Sequence, residues 1–136
     1  MRCLLPMMLA TTAAISAATP AVAHHSRAMF EMGRNITYHG VVQEYRWENP
    51  HSHLIVTVAP GAKDAATVGT WDIEASAIGL MTSRGWTRET FQPGERITVV
   101  AHPNRDGSNN ILLFYVVMPD GKRLYRAEHR YDGEVE

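Results

Sequence analysis

The candidate functional residues of this chain are its histidines. All seven follow the small-residue motif Ala21-Val22-Ala23, and two of them, His24 and His25, come directly after it. A second pair, His51 and His53, is separated by a single residue. Imidazole is the commonest metal ligand among protein side chains. These positions therefore predict a transition-metal site, provided that the fold brings them together.

The first 23 residues have the pattern of a secretory signal peptide. Arg2 supplies a positive charge, an apolar, alanine-rich run extends over residues 4–18, Pro20 ends it, and small residues precede the cleavage site. Cleavage after Ala23 would make His24 the first residue of a periplasmic or secreted protein. A histidine at a free N-terminus presents an amine and an imidazole that can close a chelate ring on one metal ion. The alternative is that these two histidines form a solvated, frayed terminus.

Composition excludes several classes of function and of ligand. The 136 residues include 13 basic and 14 acidic side chains, for a formal net charge of −1, and no basic stripe that would indicate nucleic-acid binding. The single cysteine, Cys3, lies in the segment predicted to be removed, so the exported chain has no disulfide and no thiolate. No later stretch approaches the roughly 20 apolar residues of a membrane span. Nitrogen and oxygen donors alone favour Cu(II), zinc or nickel over Cu(I).

Short strands must position these histidines. Apolar alternation and turn residues predict strands over residues 36–47, 53–58, 70–75, 96–102, 111–118 and 122–125. In the first strand the apolar residues change from even-numbered to odd-numbered positions, which predicts a β-bulge at Gly40. Ser76 is the predicted N-cap of a short helix. This order predicts an all-β fold, a small OB-like Greek-key barrel with one short helix between strands 3 and 4. A small β-sandwich is the alternative.

The predicted organisation is a single domain with a segment on each side. Residues 1–23 are the signal peptide, residues 24–35 an N-terminal arm, residues 36–126 the β-barrel domain and residues 127–136 a charged tail. The arm shows no regular spacing of apolar residues and is expected to precede the barrel.

Strand parity predicts where the second histidine pair points. Leu54 begins the core face of the second strand, so His51 and His53 project from the opposite face, about 7 Å apart if both are extended. Asp72 and Glu74 share that face if strands 2 and 3 are neighbours. Two imidazoles beside carboxylates suit copper, zinc or nickel. This is also the surface that OB-type barrels commonly use for ligands.

Each of these residues also has an ordinary structural interpretation. A His-x-His pattern on a strand is often exposed polar alternation, and Asp72 and Glu74 can be solubilising residues or cross-strand partners of basic side chains. The three tryptophans, Trp47, Trp71 and Trp86, are expected to pack in the core. The chain contains no phosphate-binding glycine loop, no His-Glu-x-x-His motif and no nucleophile elbow. We therefore expect no enzymatic activity.

Several segments stand together in an order that indicates a known family. They are His24-His25-Ser26, Trp47-Glu48-Asn49-Pro50-His51, Trp71 with Ile73-Glu74, Arg84-Gly85-Trp86-Thr87-Arg88, Pro93-Gly94-Glu95 and His102-Pro103 with Arg105-Asp106-Gly107-Ser108. With them the chain resembles a family of small exported proteins of unknown function, found mainly in proteobacteria. The resemblance implies an exported single β domain and no established activity or cofactor. The chain departs from the family pattern at Ala75-Ser76-Ala77, where glycine and proline are commoner.

These observations lead to two functional hypotheses. The first is an exported binding module that holds a transition metal, with copper as the preferred metal. Its ligands would be His24, His25, His51, His53 and Glu74. Glu74 would act as a weak ligand or as a residue that orients a ligand. The second is a metal-free interaction module that docks another exported protein. An arm that points away from the His51 and His53 face would favour the second hypothesis.

Overall fold

A computed structural model of the chain describes residues 27–127. The predicted signal peptide, His24, His25 and residues 128–136 of the predicted tail lie outside these residues. The main elements are β1 (Ile36–Arg46), β2 (His53–Val58), β3 (Gly69–Glu74), α1 (Ile78–Thr82), β4 (Arg96–His102), β5 (Asn110–Val117) and β6 (Arg123–Tyr125). Each predicted strand is confirmed, with ends that agree to within a residue. Within the described range, neither α1 nor any other helix is long and apolar enough to cross a membrane.

Five strands close into a barrel. β1 pairs antiparallel with β2 and with β4, β2 pairs with β3, and β4 pairs with β5. A parallel pairing of β3 with the start of β5, from Asp72 opposite Asn110 to Glu74 opposite Leu112, completes the closure. β6 continues the sheet along the second half of β5. This strand order, with α1 between β3 and β4, is that of an OB-like barrel and confirms the predicted fold.

The barrel interior holds the apolar side chains of the alternating strands. Val56, Ile73 and Val99 are completely buried there. Trp86 and Trp71 are also buried, and Trp47 packs against the edge of this core, which confirms the role predicted for the tryptophans. Because the inward face of every strand is used in this way, polar side chains of β2 and β3 are left on the outer surface.

The bulge in β1 does not lie at Gly40, where it was predicted. The register between β1 and β4 is continuous through Gly40, which is opposite Ile97. The register between β1 and β2 shifts between Val42 and Glu44, and beyond this point Tyr45 packs against the core. The alternation in the sequence therefore indicated a change of face, but the structure places that change closer to the end of the strand.

Gly40 is required by the close approach of β1 to β2. A Cβ atom at this position would clash with Cγ1 of Val56 and lie 2.8 Å from the carbonyl oxygen of Thr57. The second contact is to backbone, so it can be relieved only by moving one strand against the other. We expect Gly40→Ala to lower the free energy of unfolding by about 1–3 kcal/mol, the usual cost of overpacking, as measured by urea denaturation.

Gly79 provides the matched control for this substitution. It lies in α1, and a Cβ there would meet no atom within 4 Å. Alanine is favoured over glycine inside a helix by roughly 0.5–1 kcal/mol, so Gly79→Ala should leave the stability unchanged or raise it. Equal stabilities of the two variants would contradict the role assigned to Gly40.

Ser76 is not the N-cap of α1, as the sequence had suggested. The helix begins at Ile78, and its N-cap Ala77 makes no side-chain cap bond. The backbone N–H of Ile78 donates instead to Oδ1 of Asn49, which lies 29 positions earlier, at 3.0 Å. Ser76 Oγ accepts a hydrogen bond from Nη1 of Arg126 at 3.2 Å. The prediction was wrong because a distant asparagine, rather than the nearest hydroxyl, satisfies the first turn of the helix.

The described part of the arm, residues 27–35, is docked on the outside of the barrel beside the β4–β5 loop. The ring of Phe30 is 1% exposed, and Phe30 forms an isolated antiparallel bridge with Asn104. The N–H of Glu31 donates to the carbonyl of Pro103 at 2.9 Å, and Arg105 donates to two arm carbonyls. The arm is therefore held by one buried ring and several backbone hydrogen bonds.

Candidate functional site

Two histidine–carboxylate pairs occupy neighbouring positions on the outer face of β2 and β3. Nδ1 of His53 lies 2.7 Å from Oδ1 of Asp72, and Nδ1 of His51 lies 2.7 Å from Oε1 of Glu74. In the β2–β3 register His53 is directly opposite Glu74, so the two pairs are adjacent. The structure therefore brings together the two imidazoles and the two carboxylates that strand parity assigned to one face.

The strand ladder continues beyond β2 and explains the position of His51. The N–H of Ser52 donates to the carbonyl of Ser76 at 3.0 Å, and the N–H of Ala75 donates to the carbonyl of Ser52 at 2.8 Å. Ser52 is fully buried, whereas His51 and His53 on either side of it are partly exposed. Alternation about Ser52 thus places both imidazoles on the outer side.

The hydrogen bond to Asp72 determines which nitrogen of the His53 ring carries a proton. An ionised carboxylate only accepts hydrogen bonds, so Nδ1 of His53 must be the donor. In a neutral ring the lone pair is then on Nε2. Histidines that bind metals typically donate their other ring N–H to a carboxylate, which fixes the tautomer and raises the basicity of the ligand. Nε2 of His53 is therefore suited to metal coordination, and His51, whose Nδ1 also lies 2.7 Å from a carboxylate oxygen, has the same arrangement.

Exposure separates the roles of the two carboxylates. The side chains of His51, His53 and Asp72 are partly open to solvent, whereas the Glu74 side chain is only 7% exposed. This burial excludes the alternative interpretation of Glu74 as a solubilising residue. A buried carboxylate needs a polar partner, and the His51 ring, with Nδ1 2.7 Å from Oε1, supplies one. Because this contact uses Oε1, Glu74 suits the role of orienting the His51 ring better than that of a direct ligand.

Arg126 lies beside these pairs. Its Nε donates to the carbonyl of Leu113 at 2.7 Å and its Nη1 donates to Ser76 Oγ. Burial lowers the pKa of the Arg126 guanidinium, the charge of Arg27 lowers it further, and the charge of Glu74 raises it. The charges of Arg27, in the arm, and of Glu74, in the site, therefore act on the same guanidinium in opposite directions. Sequence reasoning missed Arg126 because only barrel closure brings it to β3.

The described residues supply two suitable imidazoles but no larger ligand group. Within residues 27–127, no set of three or more His, Cys, Asp or Glu side chains is arranged to hold a metal ion. The remaining ligands predicted from the sequence, His24 and His25, fall outside the described range.

Two other histidines in the described residues are engaged away from this site. Nδ1 of His39 lies 3.0 Å from Oγ1 of Thr98 on the exposed face of β1 and β4. His102 is buried, and its Nδ1 lies 3.1 Å from the carbonyl oxygen of Arg34 in the arm. His39 is therefore a suitable reference for an exposed imidazole, and His102 contributes to docking of the arm.

Comparison with known proteins places the chain in a family. The profile described as "Family of unknown function (DUF6152)" matches residues 13–113, more than half of the chain, including both histidine–carboxylate pairs. Searches of the curated proteins and of the solved structures gave no significant match. The expectation of an uncharacterised family is confirmed, whereas export stays a prediction. The chain belongs to the DUF6152 family of unknown function.

Proposed function

We propose that this protein is exported to the periplasm or the cell exterior and binds a transition metal, with copper as the preferred metal. The ligands are Nε2 of His51, Nε2 of His53, and the amine and imidazole of His24, with His25 as a further donor. The observation that carries the proposal is the pair of Nδ1–carboxylate contacts at 2.7 Å, of which the His53–Asp72 contact is a hydrogen bond. Both rings lie on one face with Nδ1 beside a carboxylate, the arrangement typical of histidines that bind a metal through the other ring nitrogen. Glu74 and Asp72 orient these rings.

The docked arm supports the participation of His24. The positive charge of Arg27 lowers the pKa of Arg126, and the charge of Glu74 in the site raises it. His24 is three positions before Arg27. An extended chain covers about 3.3–3.6 Å per residue, so the predicted N-terminus can reach at most roughly 10 Å from Arg27. The proposal therefore requires the chain before Arg27 to run toward His51 and His53.

The donor set supports copper as the preferred metal. An N-terminal amine and imidazoles are nitrogen donors, and no thiolate follows the predicted cleavage site. For a given nitrogen and oxygen site, Cu(II) binds more tightly than the other divalent first-row metals, including zinc and nickel. A site of this composition should therefore bind Cu(II) in preference to zinc or nickel at equal concentrations.

The test begins with the full chain expressed in a bacterium and its exported product recovered from the periplasm. Intact mass should show an N-terminus at His24. Calorimetry with Cu(II) should give one tightly bound ion per chain, and electron paramagnetic resonance should show several nitrogen donors. One additional residue placed before His24 should weaken binding, because it removes the amine–imidazole chelate. A different N-terminus, or an affinity unchanged by the extension, would exclude His24 as a ligand.

Asparagine substitutions separate the two ring nitrogens. His51→Asn and His53→Asn keep an N–H near the position of Nδ1, so the contacts with Glu74 and Asp72 can persist, but they lack Nε2. We expect each to reduce Cu(II) affinity by at least about tenfold, the lower range for perturbing a metal site. His39→Asn, on the β1–β4 face, is the matched control and should bind as tightly as the unchanged protein. Equal affinities for all three variants would overturn the proposal and favour a metal-free interaction module.

A further inference from the structure

Arg126 is a half-buried cation whose described contacts are neutral. Its guanidinium donates to the Leu113 carbonyl and to the Ser76 hydroxyl, neither of which carries a charge. Among residues 27–127, every ion pair within 4.0 Å involves other side chains. Charges removed from water are normally paired, because the cost of desolvation is otherwise uncompensated. The environment of Arg126 therefore lacks a counterion among the described residues.

The surrounding charges increase this imbalance. Arg27 adds a second positive charge that acts on Arg126. Glu74 is the one neighbouring carboxylate that acts on Arg126 among the described residues, and its Oε1 already lies 2.7 Å from Nδ1 of His51. Burial further disfavours the charged form and lowers the pKa of Arg126. An added negative charge would offset both the repulsion between Arg27 and Arg126 and the free-energy cost of desolvating Arg126.

The geometry of the N–H donors of Arg126 indicates which chemical group would supply that negative charge. A guanidinium has five N–H groups in one plane, of which the contacts to Leu113 and Ser76 use one at Nε and one at Nη1. The planar fork that remains matches the two oxygens of a carboxylate. The Ser76 hydroxyl, which accepts from Arg126, retains its own hydrogen as a further donor.

We propose that Arg126 and Ser76 form a carboxylate-binding subsite adjoining the His51–Glu74 pair. The carboxylate has two possible sources. One is the acidic tail, which carries Glu128, Asp132, Glu134 and Glu136, and the other is a small dissolved carboxylate. This subsite does not depend on the proposed metal centre, and its test is carried out on the metal-free protein.

The test measures the melting temperature of the chelator-treated full exported chain in citrate, against chloride at equal ionic strength. A second form, the tail-neutralised form, carries E128Q, D132N, E134Q and E136Q. If the carboxylate is a free ligand, citrate raises the melting temperature of both forms by about 5 °C at tenfold excess over its Kd. If the tail is the source, citrate stabilises only the neutralised form. Both outcomes support the subsite.

Two arginine variants, made in the tail-neutralised form, test whether the stabilisation by citrate depends on the Arg126 side chain. Arg126→Gln can keep neutral hydrogen bonds but lacks the charge, so its response to citrate should disappear. Arg88→Gln, at an exposed position, should respond as the parent does. The proposal is overturned if citrate stabilises neither parent form, or if Arg126→Gln and Arg88→Gln respond equally. Because no metal is present, failure here leaves the copper proposal intact, and failure of copper binding leaves the subsite intact.

Discussion

Replacing Phe30 with alanine should release the arm from the barrel. Phe30 is the only buried side chain among residues 27–35, and its ring is 1% exposed. Truncation of a fully buried phenylalanine costs about 3–5 kcal/mol. Because Phe30 lies outside the main core cluster, we expect this cost to appear mainly as loss of arm docking. The barrel strands, whose core side chains are untouched, should remain folded.

Hydrogen exchange measures this release directly. The amides of Glu31 and Arg105 donate to Pro103 and Met29 across the contact between the arm and the barrel, and both should lose protection in Phe30→Ala. Met29→Ala is the matched control, because Met29 is 37% exposed and its truncation removes little buried surface. Unchanged protection of both amides in Phe30→Ala would show that backbone hydrogen bonds alone hold the arm.

The same substitution links the arm to the proposed metal centre. In the proposed site, a docked arm would keep the predicted N-terminus at a high effective concentration near His51 and His53, and a released arm would not. We therefore expect Phe30→Ala to weaken Cu(II) binding by tenfold or more, and Met29→Ala to leave it unchanged. If the amide protection is lost but the copper affinity is not, the arm does not deliver a ligand to this face.

The strands and the fold could be predicted because their signals are local. Leu54, Val56 and Val58 alternate with polar residues, and this period is sufficient to assign β2 and its inward face. The apolar run of β5 and the turn residues between strands are equally local. An order of three strands, a short helix and further strands then leaves few closed arrangements, of which the OB-like barrel is one.

The errors in the prediction occur where distant partners decide the outcome. Ser76 satisfies the local rule for an N-cap, but Asn49, 29 positions before Ile78, accepts the hydrogen bond from the first turn instead. Gly40 satisfies the local rule for a bulge, but the register of β1 depends on β2 and β4 together, and the shift falls after Val42. Neither competing interaction can be found from the residues next to the feature.

The candidate site could be predicted only in part for the same reason. Parity placed His51, His53, Asp72 and Glu74 on one face, and the pairing of β2 with β3 confirmed it. The assignment of each carboxylate to one ring and the burial of Glu74 depend on side-chain packing. The proximity of Arg126 depends on closure of the barrel through β3 and β5, a contact between segments far apart in the chain.

Replacing Trp86 with alanine should cause the largest loss of stability among the substitutions considered. Trp86 is 1% exposed and packs against Phe91 at a ring separation of 5.7 Å. Its Nε1 also donates to the carbonyl of Tyr125, at the end of β6, at 3.0 Å. Removing a buried ring costs about 3–5 kcal/mol, and the lost hydrogen bond adds to this cost. Circular dichroism in urea should measure it, because fluorescence would change with the loss of a tryptophan.

Trp47→Ala is the matched control for the loss of an indole ring. Trp47 packs at the edge of the core and is only partly buried, so less apolar surface and fewer contacts are lost on truncation. We expect a clearly smaller decrease in the free energy of unfolding than for Trp86→Ala. Equal decreases would show that burial at position 86 is not what stabilises the barrel.

Trp86→Phe separates the ring from its hydrogen bond. Phenylalanine fills most of the buried volume but cannot donate to Tyr125, whose carbonyl then lacks this partner at a cost of about 1–3 kcal/mol. Because Tyr125 directly precedes Arg126, this bond also positions the proposed carboxylate subsite. In the tail-neutralised form, the Phe variant should therefore remain folded yet respond less to citrate. A full citrate response would show that the Leu113 and Ser76 contacts are sufficient to orient Arg126.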